Sequence, residues 1–260
     1  MTRQIRHSRI SGSGPTLAHV CRSRVAWVTA ACFAVVLLAA CGGNGGAASG
    51  TTVSAQISDA DAEARLQAVV LQIADVGADF TQDAARVQTN EDAAKARPDT
   101  DKARQQYADW QQVLQYNVQY AAPASADIVF NAKIARLMNT ATYYQTPDGA
   151  AAALSYTRDL AANTVANVLV SESSGTKITD TQVVKDIAFP SKGDDSYAWR
   201  ITGKATFDNG FTVTFVADSV FVRAGRIDGN VTAVALGQAP QRAALTALVD
   251  TFVARARSAQ

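Results

Sequence analysis

The chain has 260 residues, of which 48% are hydrophobic and 18% are charged, so it is long enough to bury a core and too apolar for disorder throughout. Its net charge of +1 is unevenly distributed, because five of the 24 basic residues precede residue 25 while all 23 acidic residues follow residue 58. The part after residue 41 therefore carries a net charge of −4. This charge argues against a nucleic-acid partner, which requires a concentrated basic face.

Histidine and cysteine are confined to the N-terminal segment. His7, His19, Cys21 and Cys32 precede Cys41, and neither residue type occurs after it. This distribution excludes Ser-His-Asp and Cys-His catalysis, zinc sites built on His or Cys, haem ligation and iron–sulfur clusters from the rest of the chain. We therefore expect no cofactor and no metal there.

The N-terminal segment has the layout of a signal peptide. Residues 1–24 are polar and rich in arginine, and residues 25–40 form the uncharged run VAWVTAACFAVVLLAA, which ends directly at Cys41. A helix of this run would span about 24 Å, less than the ~30 Å hydrocarbon core of a bilayer, so a permanent transmembrane helix is the weaker interpretation. The junction Leu-Ala-Ala-Cys-Gly-Gly resembles the bacterial lipobox. That resemblance implies that Cys41 receives diacylglycerol and becomes the new N-terminus; the alternative is an unlipidated signal peptide or a short anchor.

Three segments follow from this layout. We predict a lipoprotein signal peptide over 1–40, a lipidated Cys41 with a flexible Gly/Ala/Ser tether over 41–57, and a folded domain over 58–260. Acyl chains on Cys41 would tether the domain to a lipid bilayer. The expected location is the extracytoplasmic face of the cell membrane.

The first part of the domain is predicted to be mainly helical. The sequence Ser-Asp-Ala-Asp from residue 58 is typical of a helix start, and apolar residues at helical spacing predict an amphipathic helix over 59–75. A short strand is predicted over 79–88, and two polar helices over 90–96 and 99–109.

The middle of the domain combines two strands with a helix. Alternating residues predict a strand over 110–120, in which Tyr and Val alternate with Gln and Asn. Residues 128–144 form a second extended stretch, although 135–139 are equally compatible with a helix. Thr146, followed by Pro and Asp, predicts a helix from 147 to about 165.

The last third alternates regularly and predicts strands over 183–189, 197–207, 211–222 and 231–236, followed by a helix from about residue 240. Asp-Asn-Gly at 208–210 predicts a hairpin, and Gly225 to Gly229 a turn. Within 197–207, Trp199 shares its side with other apolar residues while Thr202 lies on the other, which favours a sheet with one covered face.

The order of these segments predicts an α+β domain: a single antiparallel β-sheet packed by N-terminal, middle and C-terminal helices. The segments that carry a family resemblance are Trp110 with the strand Tyr116–Tyr120, Tyr143 to Ala150, Pro190–Ser196, and Val222–Arg226 before the last strand and helix. Over about 80–260 the arrangement resembles secreted bacterial lipoproteins and sensor domains, among them the extracellular domain of PknH-type receptor kinases and the PsbP-like lipoproteins. The resemblance implies a sandwich used for binding or sensing outside the cytoplasm, with no catalytic residue.

Two motifs that could carry chemistry have simpler explanations. Ser174 and Lys177 match Ser-x-x-Lys of penicillin-binding enzymes, but the companion Lys-Thr-Gly and Ser-Asp-Asn motifs are absent from the chain. Asp194 and Asp195 could hold a cation with two carboxylates, but the spacing of a calcium loop is missing and a solvated turn is favoured.

Aromatic residues with polar tips are the remaining candidate site, because such side chains are common in ligand-binding clefts. Ordinary packing in the sheet is the alternative. The residues assigned speculatively to ligand binding are Tyr116, Tyr120, Tyr143, Tyr144 and Trp199.

The sequence thus predicts a membrane-anchored lipoprotein whose domain binds a small ligand or an envelope protein without catalysis. A carrier of lipid or another apolar ligand is the first alternative and requires a cavity between the sheet and its helices. A hydrolase that uses carboxylates alone is the second, and it requires a pair of acids in a cleft. A purely structural role in the envelope is the third.

Overall fold

A computed structural model describes residues 56–123, 133–160, 176–207 and 210–260. In chain order these residues form α1 (Asp59–Val69), α2 (Ile73–Val76), β1 (Thr81–Thr89), α3 (Asn90–Lys95), α4 (Thr100–Asp109), β2 (Gln112–Ala121), β3 (Ile134–Tyr144), α5 (Pro147–Asp159), β4 (Thr176–Val184), β5 (Asp195–Phe207), β6 (Thr212–Ala224), β7 (Ile227–Leu236) and α6 (Arg242–Ser258). Within these ranges, no helix has the length and apolar character needed to span a bilayer.

The strands form one antiparallel sheet in the order β1-β2-β3-β7-β6-β5-β4. Two meanders, β1-β2-β3 and β4-β5-β6-β7, join where β3 pairs with β7. The chain passes from β3 in the centre to β4 at the edge, and α5 lies on this connection. The α+β fold class predicted from the sequence is confirmed.

Helices cover both faces of the sheet. The side chains of α1 and α6 pack on one side against strand residues such as Val118, Val220 and Val231, and we call this side the apolar face. The helix α5 packs on the other side, where Leu154 and Leu160 belong to one cluster with Trp199. We call this side the polar face, because of the side chains described below. The expectation of a single covered face was therefore wrong.

Local sequence signals set the start of two helices. The Ser58 side chain accepts a hydrogen bond from the backbone N–H of Asp61 at 3.1 Å and caps α1. The Thr146 side chain accepts one from the backbone N–H of Gly149 at 3.2 Å and caps α5, whose first residue is a proline. Just before α1, Ile57 exchanges hydrogen bonds with the Gln145 side chain, so the chain is already bound to the sheet at that point.

The single helix predicted over 59–75 is divided into α1 and α2. Between them the backbone of Leu71 is bound by side chains from the sheet: its N–H donates to Oδ1 of Asn139 at 2.8 Å, and its carbonyl accepts from the Tyr120 hydroxyl at 2.6 Å. Because these groups are used by the sheet, they are not available for helical hydrogen bonds. The helix therefore ends at Val69 and restarts at Ile73.

The strand predicted over 183–189 was wrong in its bounds, because β4 covers Thr176–Val184. A positive φ of 53° at Asp186 turns the chain away from β5, and the next residue, Ile187, donates its N–H to the carbonyl of Ala198 at 3.0 Å. The predicted turn over Gly225 to Gly229 is shorter, because β6 and β7 are joined at Gly225 and Arg226. Gly229 lies within β7, where a Cβ atom would overlap the carbonyl oxygen of Thr140.

The other predicted bounds agree more closely. Residues 135–139 are strand rather than helix, and α5 ends at Asp159 instead of about 165. The strands predicted over 79–88, 110–120 and 197–207 correspond to β1, β2 and β5. The first residues of the stretch predicted from 128, and Asp208 and Asn209 of the predicted hairpin, lie outside the described residues.

Candidate functional site

The five aromatic residues assigned from the sequence lie on two sides of the sheet. Tyr116, Tyr120 and Tyr143 belong to the apolar face, whereas Tyr144 and Trp199 lie on the polar face. The hydroxyl of Tyr120 donates to the carbonyl of Leu71 between α1 and α2, and the hydroxyl of Tyr143 accepts a hydrogen bond from Arg65 at 3.3 Å. The five residues therefore do not form one surface.

Trp199 belongs to an aromatic cluster on the polar face. Tyr197 and Phe221 are opposed across β5 and β6, and their rings stack at 4.7 Å with an interplanar angle of 12°. The Trp199 ring packs at 5.0 Å from Phe221 and at 5.4 Å from Tyr197. Two cations approach these rings, since the Arg158 guanidinium lies 4.8 Å from the Tyr197 ring centre and Lys185 Nζ 5.4 Å from that of Trp199.

A cleft of about 400 Å³ opens beside Tyr197. Arg158, at the end of α5, borders it and donates to Oδ1 of Asp195 at 2.8 Å and to the carbonyl of Ser196 at 3.1 Å. Lys185 caps α5 by donating to the carbonyls of Arg158 and Leu160. The cleft is lined by Arg158, Asp186, Ile187, Ala188, Phe189, Ser196, Tyr197 and Ala198.

A buried carboxyl group lies on the same face. Asp228 is 9% exposed and accepts a hydrogen bond from the Tyr144 hydroxyl at 2.8 Å. Burial raises the pKa of Asp228 to about 7, against the opposing effects of Tyr144, Thr142 and the cationic Arg223. Burial and the neighbouring carboxylate raise the pKa of Tyr144 as well. Near neutral pH, Asp228 is therefore about half protonated, whereas an exposed aspartate is fully ionised.

Between the aromatic cluster and the edge of the sheet, the polar face carries rows of uncharged polar side chains. The strand register places Asn117, Thr140 and Asn230 beside one another on β2, β3 and β7, and this row continues to Phe221 and Tyr197. The next row runs in the same direction and consists of Gln119, Met138, Thr232, Ser219 and Trp199. We call these two rows the central rows.

Most of the polar side chains in the central rows are buried. Asn117 is 1% exposed and Trp199 also 1%. Within the described part of the chain, four buried atoms of the central rows have no hydrogen-bond partner: Nδ2 of Asn117, Oδ1 of Asn230, Nε1 of Trp199 and the hydroxyl of Tyr197. Buried polar atoms are normally paired, so these four are exceptions, and each is closed off from solvent in this structure.

The acidic residues considered for a cation have partners inside the protein. Asp194 accepts from the backbone N–H of Gly225 at 2.7 Å and lies 3.6 Å from Arg223, while Asp195 is paired with Arg158. In the described ranges, no group of three His, Cys, Asp or Glu side chains is placed to hold a metal ion.

The sequence analysis did not single out Arg158, Asp228 or the polar residues of the central rows. The signal was present in β2, where Gln115, Asn117 and Gln119 alternate with apolar residues. Such alternation normally indicates a solvated side. Only the tertiary structure shows that Asn117 and Gln119 are buried.

No protein family model matches the chain, and no curated protein matches it. Among solved structures, the extracellular domain of PknH from Mycobacterium tuberculosis is similar, with a TM-score of 0.44 and 12% identity over 76% of this chain and 97% of that chain.

Proposed function

We propose that this protein is a lipid-anchored binding protein of the cell envelope, whose domain takes up a small polar ligand at the polar face of its sheet. The observation that carries the binding function is the cleft of about 400 Å³ beside Tyr197, which Arg158 and Asp186 border on the same face as the unpartnered polar atoms of the central rows. A domain that uses this face only for packing would gain more from apolar residues there, because unpaired buried polar groups destabilise the folded state.

The anchoring is supported by the sequence. The apolar run of residues 25–40 ends at Leu-Ala-Ala-Cys, and the Gly-rich residues that follow provide a tether up to Ile57. A flexible chain of about 16 residues has an end-to-end distance of roughly 20–24 Å. The tether would thus keep the domain close to the outer surface of the membrane.

The chemistry of the site favours a polar ligand over an apolar one. Arg158 and Asp186 border the cleft, and Ser196 and Tyr197 belong to its lining. A carrier of lipid would bury these groups against hydrocarbon without hydrogen bonds, which is unfavourable. Among the described residues, the buried acid Asp228 is hydrogen-bonded by Tyr144, the buried Asp218 is paired with Arg200, and Asp195 is paired with Arg158. None of these acids therefore supports the carboxylate hydrolase.

The anchor is tested by replacing the acylated residue. Cys41→Ala should shift the protein from the membrane fraction to the soluble fraction, or leave an uncleaved precursor, whereas the wild type should carry the mass of diacylglycerol on Cys41. A matched control is Cys32→Ala inside the apolar run, which should leave processing unchanged. An unmodified Cys41 in the mature wild-type protein would contradict the anchor.

Ligand binding is tested by thermal unfolding of the detergent-solubilised full chain with panels of neutral sugars, short peptides, nucleosides and fatty acids. A ligand that binds only the folded state raises the unfolding midpoint with concentration. Ala188→Trp should fill the cleft and suppress the shift, whereas Gln182→Trp, on β4 and away from the cleft, should not. If no panel stabilises the wild type, the binding function is wrong.

A further inference from the structure

The cleft at the polar face opens where β4 leaves the edge of β5. The last residue of β4 that pairs with β5 is Val184. Beyond it, the N–H of Ile187 donates to the carbonyl of Ala198 at 3.0 Å. Further along, the N–H of Lys192 donates to Ser196 Oγ at 2.8 Å. The backbone that borders the cleft is therefore held to β5 at two points.

The lining of the cleft combines an apolar part with two charged side chains. Ile187, Ala188 and Phe189 form its apolar part, and two of them, Ile187 and Phe189, also pack against the core of the apolar face. The charged residues of the lining are Arg158 and Asp186. The volume of about 400 Å³ lies at the lower end of the range for ligand pockets, roughly 300 to 1,000 Å³. The cleft therefore suits a small ligand with an apolar body.

Arg158 is fixed at the border of the cleft while part of its guanidinium stays accessible. Its Nη2 donates to Asp195 and to the carbonyl of Ser196, and the guanidinium lies over the Tyr197 ring. The side chain is 36% exposed, and its Nη1 donates no hydrogen bond within the described ranges. A planar guanidinium binds carboxylates through such N–H groups. Arg158 is thus oriented to receive an anionic group.

Asp186 supplies the opposite charge. The residue is exposed and has a positive φ of 53°, and its carboxylate forms no hydrogen bond or ion pair within the part of the chain that the structure describes. Burial raises the pKa of the Tyr197 hydroxyl, and the carboxylate of Asp228 raises it further. Arg158 lowers the same pKa and Asp186 raises it, so both charges lie close to this one ring. Asp186 is therefore placed to receive a cationic group beside the anion site.

Resting on the binding function proposed above, we propose that the cleft binds an apolar amino acid or short peptide as its zwitterion. The ligand carboxylate binds Arg158, its ammonium group binds Asp186, and its side chain contacts the apolar part of the lining. A ligand with an anionic group alone would leave Asp186 unpaired beside that anion, and a ligand with a cationic group alone would lie beside Arg158. Because like charges repel, a zwitterion is favoured over either.

The proposal is tested by calorimetric titration of the detergent-solubilised full chain with leucine, phenylalanine and dileucine. At least one of them should give saturable binding. N-acetylleucine lacks the ammonium group and leucine amide lacks the carboxylate, so each should bind about tenfold more weakly than leucine. N-acetyldileucine and dileucine amide are the corresponding compounds for the peptide. Binding of dileucine without binding of leucine would support the proposal and identify short peptides as the ligand.

Two substitutions test the two charges separately. Asp186→Asn keeps a side chain that tolerates positive φ, and it should remove the preference for the zwitterion over the N-acetyl compound. Arg158→Gln should remove the preference over the amide. Asp180→Asn is the matched control, because Asp180 has a φ of 54° but lies on β4, where it pairs with Lys204 at 2.8 Å. This control should leave all affinities unchanged.

The exposed Asp186→Asn variant keeps the test valid even if Arg158→Gln fails to fold. If the N-acetyl compound or the amide binds as tightly as the zwitterion, a single charge is recognised and the proposal is wrong. It is also wrong if Asp186→Asn retains the wild-type affinity and preference. If zwitterions fail to bind while a sugar, nucleoside or fatty acid stabilises the protein, and Ala188→Trp suppresses that effect, the ligand class is wrong and the binding function stands. If nothing binds, both are wrong.

Discussion

Trp199 shows how one side chain links the sequence pattern to the core. The alternation of β5 places it on the same side as Tyr197 and Ile201, and the structure confirms that it is buried there, at 1% exposure. Its ring contacts Tyr197 and Phe221 in the aromatic cluster, so it stabilises the fold through the ring and leaves its Nε1 free of a partner among the described residues. Packing and hydrogen bonding at this residue can thus be tested separately.

Truncation of this ring should strongly destabilise the domain. Trp199→Ala leaves a cavity and loses buried apolar area, with an expected cost of roughly 3 to 5 kcal/mol. Thr202→Ala, half-buried on the other side of the same strand, should have little effect and serves as control. Urea unfolding measures both. An unchanged midpoint for Trp199→Ala would mean that the ring does not support the core.

Asp228 predicts an unusual dependence of stability on pH. Its pKa is about 7 in the folded protein and 3.8 as the ordinary value, so the folded state binds the proton more tightly than the unfolded state. The contribution of Asp228 to the free energy of unfolding should therefore be largest below pH 4. It should decrease between about pH 4 and 7 and stay constant above pH 7. The difference between the two pKa values corresponds to a change of about 4 kcal/mol in the free energy of unfolding.

Asp228→Asn removes this titration while keeping an oxygen for the Tyr144 hydroxyl. The variant should gain stability relative to the wild type on going from pH 4 to pH 8, as measured by urea unfolding at several pH values. Asp101→Asn, on the exposed surface of α4, is the control and should follow the wild-type profile. Parallel profiles for Asp228→Asn and wild type would contradict the assignment of the buried proton.

Among the elements, α5 is the helix that covers the polar face, and its position depends on a glycine. Gly149 in its first turn lies directly against the backbone of Trp110, where a Cβ atom would overlap the carbonyl oxygen. Behind it, Ala150 and Ala153 pack against Tyr144 and Trp110. Small residues thus allow the helix to approach the sheet closely above the buried Asp228.

Gly149→Ala should therefore destabilise the domain in spite of the better helix propensity of alanine. The substitution would gain up to ~1 kcal/mol in an isolated helix, whereas overpacking against fixed backbone costs typically 1 to 3 kcal/mol or more. The reverse change at an exposed position of the same helix, Ala152→Gly, measures the propensity alone and should cost about 1 kcal/mol. A stabilised Gly149→Ala variant in guanidinium unfolding would show that α5 moves freely away from Trp110.

At the scale of the molecule, the fold consists of one sheet with helices on both faces. The chain after Cys41 contains no histidine or cysteine that could bind a metal ion. The acids nearest to a cation-binding arrangement, Asp194 and Asp195, are paired with arginines. We therefore expect the chain from residue 56 to fold without metal, and its thermal midpoint to be the same with and without EDTA. A large decrease on chelation would show that an oxygen-ligand site contributes to stability.

Much of this architecture follows from the sequence, because it depends on local patterns. Alternation predicted β2 and β5, and the sequence Thr-Pro-Asp predicted the start of α5 through a cap and a fixed φ. The absence of His and Cys after Cys41 limits the available chemistry through composition alone. Each of these signals is carried by residue types or by neighbouring residues, so it does not depend on how distant parts of the chain pack.

Tertiary structure alone decided the break between α1 and α2, where Asn139 and Tyr120 bind the backbone of Leu71. It also decided that helices cover both faces of the sheet and that Asn117 and Thr140 are buried instead of solvated. The arrangement of Arg158, Asp228 and the central rows joins residues more than 100 positions apart in the chain. Such contacts depend on strand order and register across the whole sheet, which residue periodicity does not encode.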